Sequence, residues 1–262
     1  MTASRRYTTQ LQAGLGLIQE TNVLFDYWEP GMSVGDLYAI TLEVGAFPNV
    51  SARRLRNIVA ECFAPRYLKG NPAPALYLKQ LKNSIASAQL NQLYFLYTCR
   101  ANQILADFVR DVYWERYQSG SNHIENHHAS DFINAAMDEG KTSKRWSDTT
   151  VKRISAYLMG ACGDYGLLGS VSRNGREITP YRLENNVATI IAHDIHFKGT
   201  NDNALMQHED WGLFGLEGAD IREELKRMSL HGHLIFQAAA SISKISWHYT
   251  SMQEVVDVFS KG

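Results

Sequence analysis

Apolar residues recur every three to four positions over most of the chain, and glycine or proline interrupts them at helix-length intervals. Leu11, Leu15, Ile18 and Phe25 mark a first helix that stops before Pro30. Ser33 then opens a second helix as N-cap, with Asp36 as its capping-box acid, and this helix ends at Gly45. Ser51 caps a third, which is expected to break at Pro65. Further helices are expected around 75–85, 90–98, 103–117 and 124–137. The polar run 119–123 between the last two is the expected domain boundary, giving lobes 1–120 and 121–262. After Tyr181 the pattern predicts helices at 183–197, near 211–216, at 218–230 and at 253–259. The stretch 233–249 alternates as a hairpin with its turn near Ala240–Ile242. The expected fold class is mainly α, with helical bundle-like lobes, two helix-turn-helix units (about 33–63 and 124–179) and short β-hairpin wings.

Two helices carry a basic outer face. At roughly 100° per residue, Leu55, Ile58, Val59 and Cys62 fall on one side of the helix after Ser51, with Arg53 and Asn57 opposite and Arg56 on the flank. Arg and Asn facing away from an apolar stripe suit phosphates and base edges; a solvated surface helix has the same pattern. Arg66 and Lys69 extend the basic span, which has five cations and the single acid Glu61. The second helix, capped by Ser147, puts Val151, Ile154, Leu158 and Cys162 inside. Thr149, Arg153, Ala156 and Gly160 lie outside, with Lys152 beside them. Ala156 and Gly160 would let a ligand approach the backbone closely. Lys141, Lys144 and Arg145 precede the helix as a phosphate-contacting patch, and a helix N-terminus itself favours anions. Beyond Gly166, Leu167–Val171 reads as a strand. Arg173-Asn174-Gly175-Arg176 holds the Asn-Gly hairpin signal, so Arg173 and Arg176 would sit on a wing beside the DNA.

The net charge of −1 means that any nucleic-acid contact must come from such local patches. Seven acids against three cations between Gly199 and Leu230 suggest a separate face for solvent or a protein. Catalytic chemistry is absent from the motifs. The chain has no Walker A loop, GxSxG elbow or dinucleotide fingerprint, and no catalytic residue is assigned. His123, His127 and His128 lack the further ligands of a zinc site, so neither metal nor cofactor is expected. The string from His196 through Lys198 to Asp202 approaches the HxKxxxxD phosphodiesterase motif but is one residue short. Cys62, Cys99 and Cys162 are far apart and fall at apolar helix positions. They read as buried thiols, which suits a reducing cytosol. MTASRRYTTQ has basic residues with no apolar run after them, and no stretch is long enough for a membrane span.

The segments FDYWEPGMSVGDL, ECFAPRYLKG, ADFVRDVYWERY, WSDTTVKRISAYLMGACGDYGLL and EDWGLFGL, in this order, resemble the BrxA family, a core component of bacteriophage exclusion (BREX) systems. The resemblance runs from about Gln10 to Trp247. It implies a helical, cytoplasmic, non-catalytic protein that binds double-stranded DNA and works with other BREX proteins, such as the system's methyltransferase. Where the family pattern often has Arg within DWRLF, this chain has Gly212, so a contact made there in relatives is missing. DNA contacts are expected from Arg53, Arg56 and Asn57 in the first unit. In the second they are expected from Thr149, Lys152 and Arg153, with Lys144 and Arg145 on phosphates and Arg173 and Arg176 on the wing. The alternative is an adaptor that grips a BREX partner without touching DNA.

Overall fold

A computed structural model describes residues 6–70, 73–173, 175–239 and 242–261. The protein is mainly α-helical, with short antiparallel strand pairs. Its contacts divide it into two compact units: Met1–Leu76 with Tyr94–Tyr181, and Tyr77–Leu93 with Arg182–Gly262. The polar run 119–123 falls inside the first unit rather than between the two.

In the first unit, a short 3-10 turn (Gln10–Ala13) and α1 (Ile18–Tyr27) replace the single helix expected there. They are parted at Leu17, which takes the left-handed conformation with φ 52°. In α2 (Val34–Glu43), Ser33 and Asp36 form the expected capping box. In α3 (Ala52–Asn57), Ser51 accepts a bond from the Arg54 N–H. The helix does not break at Pro65 but continues as a π-helix from Ile58 to Leu68. Proline lacks the N–H of a regular turn, and its ring collides with the carbonyl four residues back; a widened turn relieves both problems. The aromatic residues of this stretch join the core. Phe25, Phe63, Tyr67 and Tyr94 form a ring cluster with centroids 4.9–5.9 Å apart. Then come α4 (Ala75–Leu81) and α5 (Ser87–Ala101), whose residues Tyr77–Leu93 belong to the second unit, and α6 (Gln103–Phe108), which widens to a π-helix (Val109–Tyr113) and continues as α7 (Trp114–Gln118).

β1 (His123–Ile124) was not anticipated, because its residues read as the start of the next helix. That helix, α8, spans Asn126–Asp138, and α9 spans Asp148–Asp164. β2 (Leu168–Ser172) and β3 (Gly175–Ile178) form the expected hairpin, and β1 adds to it in the order β1-β3-β2. Asn174 of the Asn-Gly turn lies outside the described residues. Gly175 has φ 98°, and a Cβ there would lie 2.4 Å from the Ile124 carbonyl oxygen. Glycine is therefore required both by the turn and by the close approach of β1.

The second unit is built on α10 (Asn185–Phe197), whose residues from Val187 to Ile195 are all buried. α11 (Asp202–Leu205), α12 (Glu209–Gly212), α13 (Gly218–Leu230) and α14 (Met252–Ser260) follow. β4 (Leu234–Ala239) pairs antiparallel with β5 (Ile242–Trp247) as the alternation predicts; Ala240 and Ser241 of its turn lie outside the described residues. Most of the acids of 199–230 serve local structure. Asp202 accepts from the Ile245 N–H, Glu217 and Asp220 box the start of α13, and Glu223 and Glu224 pair with Lys226 and Arg227.

His193 sits at the centre of this unit, fully buried, with Nδ1 2.8 Å from the Thr189 carbonyl oxygen. Its ring lies against Trp247, Tyr249 and Phe197. Burial pushes its pKa down from 6.5 to about 4; His233 and His196 add to the depression, and backbone carbonyls oppose it. The ring is neutral when folded but protonates below 6.5 when unfolded. Its contribution is therefore complete above pH 6.5 and is lost as the pH falls to 4. At about 1.4 kcal/mol per pH unit of displacement, the loss amounts to about 3 kcal/mol. Urea unfolding at pH 7.5 and 4.5 should show it, and His193→Phe should flatten the difference. Equal stability of the parent protein at the two pH values would rule the effect out.

Candidate nucleic-acid interface

α9 is held by its cap and its inner face. Ser147 Oγ accepts from the Thr150 N–H, and Val151, Ile154, Leu158 and Cys162 are buried as expected. Ser155 and Met159 are buried as well, so the buried face is wider than the apolar stripe read from the sequence. Thr149, Lys152, Arg153 and Ala156 remain exposed. Thr149, Lys152 and Arg153 make no hydrogen bond or ion pair among the described residues.

Two expected features of this region are corrected. Gly160 does not leave room for an outside ligand: a Cβ there would lie 2.7 Å from Leu15 Cδ1, so the segment before α1 packs onto it. The same segment is tied further along α9, where the Gly16 N–H donates to Asp164 Oδ2 at 2.9 Å. The open face of α9 is thus its N-terminal half. Arg176 does not extend from the hairpin tip. Its Nη1 donates to the Gly169 carbonyl at 3.3 Å and lies 2.4 Å from where a Gly163 Cβ would stand. It also acts on the buried Cys162 thiol, which burial pushes up to about 12 while Arg176 pulls the other way. Strand parity explains the direction. Arg176 shares a face with Ile178, and Ile178 is buried.

Arg173 is exposed at the hairpin end. Lys144 is exposed and unpaired among the described residues, whereas Arg145 is engaged with Asp138 at 2.6 Å. Two concavities border the open half of α9. One, of about 580 Å3, has Lys144, Arg145, Ser147 and Arg153 on one side and Thr8, Thr9 and Gln12 on the other. The second, of about 480 Å3, lies between Ala156 of α9, His127 at the start of α8, and Arg173 and Arg176 of the hairpin. Arg153 lines the first and Ala156, three residues on, lines the second. Lys144, Arg145, Arg153, Arg173 and Arg176 therefore line the two concavities, whereas Thr149 and Lys152 line neither. Sequence reasoning missed the contributions of residues 7–12 and of His127.

The α3 residues stand apart from this group. Arg53 and Arg56 are exposed and Asn57 is half-buried, and none of the three lines either concavity. Arg54 is bound to the Ala13 carbonyl. Arg66, counted in the same basic span, is buried and donates to the carbonyls of Gly14, Leu15 and Gly16.

The residues that invited catalytic readings have structural partners. His196 stacks on Trp247 with centroids 4.1 Å apart, Lys198 pairs with Asp194, and Asp202 holds the Ile245 N–H. His128 Nδ1 accepts from the Glu125 N–H at the start of α8. No group of three or more metal-ligating side chains occurs among the described residues. No helix among them is long and apolar enough to cross a membrane.

The sequence profile of the BrxA family matches residues 5–194. The chain belongs to the BrxA family. Membership carries the coarse assignment of a component of a BREX phage-defence system. The profile spans α2–α3, α8–α9 and the β2–β3 hairpin, so the candidate interface lies within the part shared with the family. A crystal structure of an uncharacterized protein from Magnetospirillum magneticum is similar in fold. It has a TM-score of 0.59 and 15% identity, covering 73% of this chain and 95% of that one. No curated protein matches the chain.

Proposed function

We propose that this BrxA-family chain binds double-stranded DNA with little sequence preference, through a winged helix-turn-helix formed by α8, α9 and the β2–β3 hairpin. The observation that carries this reading is the open N-terminal half of α9. Lys152 and Arg153 stand there unpaired; Arg153 lines the concavity that Lys144 borders, and Ala156 lines the one that Arg173 borders. Such a face supplies cations for phosphates and one hydroxyl, Thr149, for a base edge. It offers few groups able to discriminate bases, so affinity should be mainly electrostatic. Arg53, Arg56 and Asn57 on α3 give a second, separate contact. The bound duplex would bring the protein together with other BREX proteins, such as the methyltransferase.

The test is a salt series on a labelled duplex. With Lys144, Lys152, Arg153 and Arg173 on phosphates, log K should fall against log salt with a slope of about −3 to −5. That is a loss of about two orders of magnitude between 50 and 200 mM. No duplex binding at 50 mM salt would sink the proposal. It would favour the adaptor reading, which has one observation of its own: Leu42 and Val44 are exposed at the end of α2, where DNA has no use for them.

A further inference from the structure

Residues 6–12 are pinned beside α9 by two buried side chains, Tyr7 and Leu11. Tyr7 is buried, its hydroxyl donates to Asp107 Oδ2 at 2.6 Å, and its N–H donates to the Lys141 carbonyl at 2.7 Å. It forms a parallel bridge with Thr142, and its ring meets Phe132 at 6.1 Å. The residues on either side are of the opposite kind. Arg6 and Thr8 are exposed, and Arg6 has no hydrogen-bond or ion-pair partner among the described residues. Thr8, Thr9 and Gln12 then form one wall of the 580 Å3 concavity, facing Lys144 and Arg153.

The lining of that concavity defines its chemistry. It offers two unpaired cations and several hydroxyls, and no carboxylate lines it; Arg145 is already neutralised by Asp138. Hydroxyl donors and cations without a competing anion fit phosphate oxygens. The volume exceeds that of a single phosphate group and suits a stretch of sugar–phosphate backbone.

We infer that residues 6–12 form a DNA-contacting arm, and that a backbone segment of the duplex seats between this arm and α9. This rests on the DNA-binding reading above and adds residues to it. Tyr7 is the positioning residue, Thr8 and Thr9 are the hydroxyl wall, and Arg6 is the cation that reaches the flanking phosphate.

The experiment is a salt series with the full chain and a labelled duplex. Arg6→Ala should weaken binding several-fold near 100 mM salt and make the slope shallower by about 0.9. Arg6→Lys should keep the parent slope, since a phosphate contact needs the charge rather than the guanidinium fork. Thr8→Val with Thr9→Val should weaken binding at an unchanged slope, because hydroxyls release no counterions. Parent affinity and slope in Arg6→Ala and Arg6→Glu would overturn the arm if Arg153→Glu still lost binding. Weakening by Arg6→Glu with the parent slope would overturn the phosphate assignment. A parent chain that binds no duplex would remove the reading beneath it, a result distinguishable from both.

Discussion

Lys152→Glu combined with Arg153→Glu should abolish measurable duplex binding near 100 mM salt, a loss of about hundredfold or more. Both side chains are exposed on α9 and lack partners among the described residues, so reversal breaks no internal contact and should leave folding intact. Each cation lost removes about one unit of salt slope, and each acid gained repels the backbone. Arg153 carries more than its charge. It lines the concavity at the helix entrance, one helical step before Ala156 in the second concavity. A guanidinium at that point reaches either a phosphate or a guanine edge. Arg153→Lys separates the two possibilities: a pure phosphate contact keeps its slope and most of its affinity. Arg145→Glu serves as the internal comparison. Its partner is Asp138, so it should cost less than Arg153→Glu despite the same formal charge change. Parent-like binding by the double variant, with its circular dichroism unchanged, would move the interface off α9. Arg53→Glu with Arg56→Glu would then show whether α3 is the binding element.

The parts of this interface that were legible in the sequence are the local ones. Ser33, Ser51 and Ser147 were recognisable as caps because a cap is a bond between residues three apart. The buried faces of α3 and α9 were recognisable because 3.6-residue periodicity is written in the residues themselves. Misread positions depend on partners distant in sequence or on a change of period. β1 is two residues long and has no pattern of its own; it exists because β3, more than fifty residues away, pairs with it. Gly160 reads as outward by helical phase, and it is outward, but Leu15 occupies that space. Arg176 carried an overlooked signal: two residues before an apolar strand position, it belonged to the covered face. Arg66 counts with the surface cations in the sequence because the helix is expected to break at Pro65, which puts Arg66 in a solvent-facing turn, whereas the helix continues through the proline as a π-helix. The wider π-turns rotate every later side chain out of the α-helical phase. Glu217, Asp220 and Glu224 looked like an acidic surface because sequence shows charge and not its partner.

Arg66→Ala is expected to cost about 3–5 kcal/mol, because removing a buried guanidinium leaves the carbonyls it serves unsatisfied and a cavity behind. Arg66 is only 4% exposed. Nη1 donates to the Gly16 carbonyl at 3.0 Å, and Nη2 donates to those of Gly14 and Leu15 at 2.8 and 2.7 Å. These carbonyls belong to an irregular segment that has no helix or strand to satisfy them. Without the fork the Gly14 and Leu15 carbonyls face a cavity, at about 1–3 kcal/mol for each group left unpaired, while the Gly16 carbonyl keeps the Tyr165 hydroxyl at 3.1 Å. Arg66→Lys should recover only part of the loss, since one ammonium on a flexible stem does not reproduce the planar fork. Arg53→Ala, an exposed cation of the same helix, should stay within about 0.5 kcal/mol of the parent. Urea unfolding of the three variants gives the comparison, and equal midpoints for Arg66→Ala and Arg53→Ala would refute it. The loss should also be local before it is global. The segment held by Arg66 covers Gly160 and donates the Gly16 N–H to Asp164, so its release uncovers the C-terminal half of α9. Hydrogen exchange at Gly16 in Arg66→Lys should therefore speed up ahead of the amides of α9, because the strap opens without unfolding the helix beneath it.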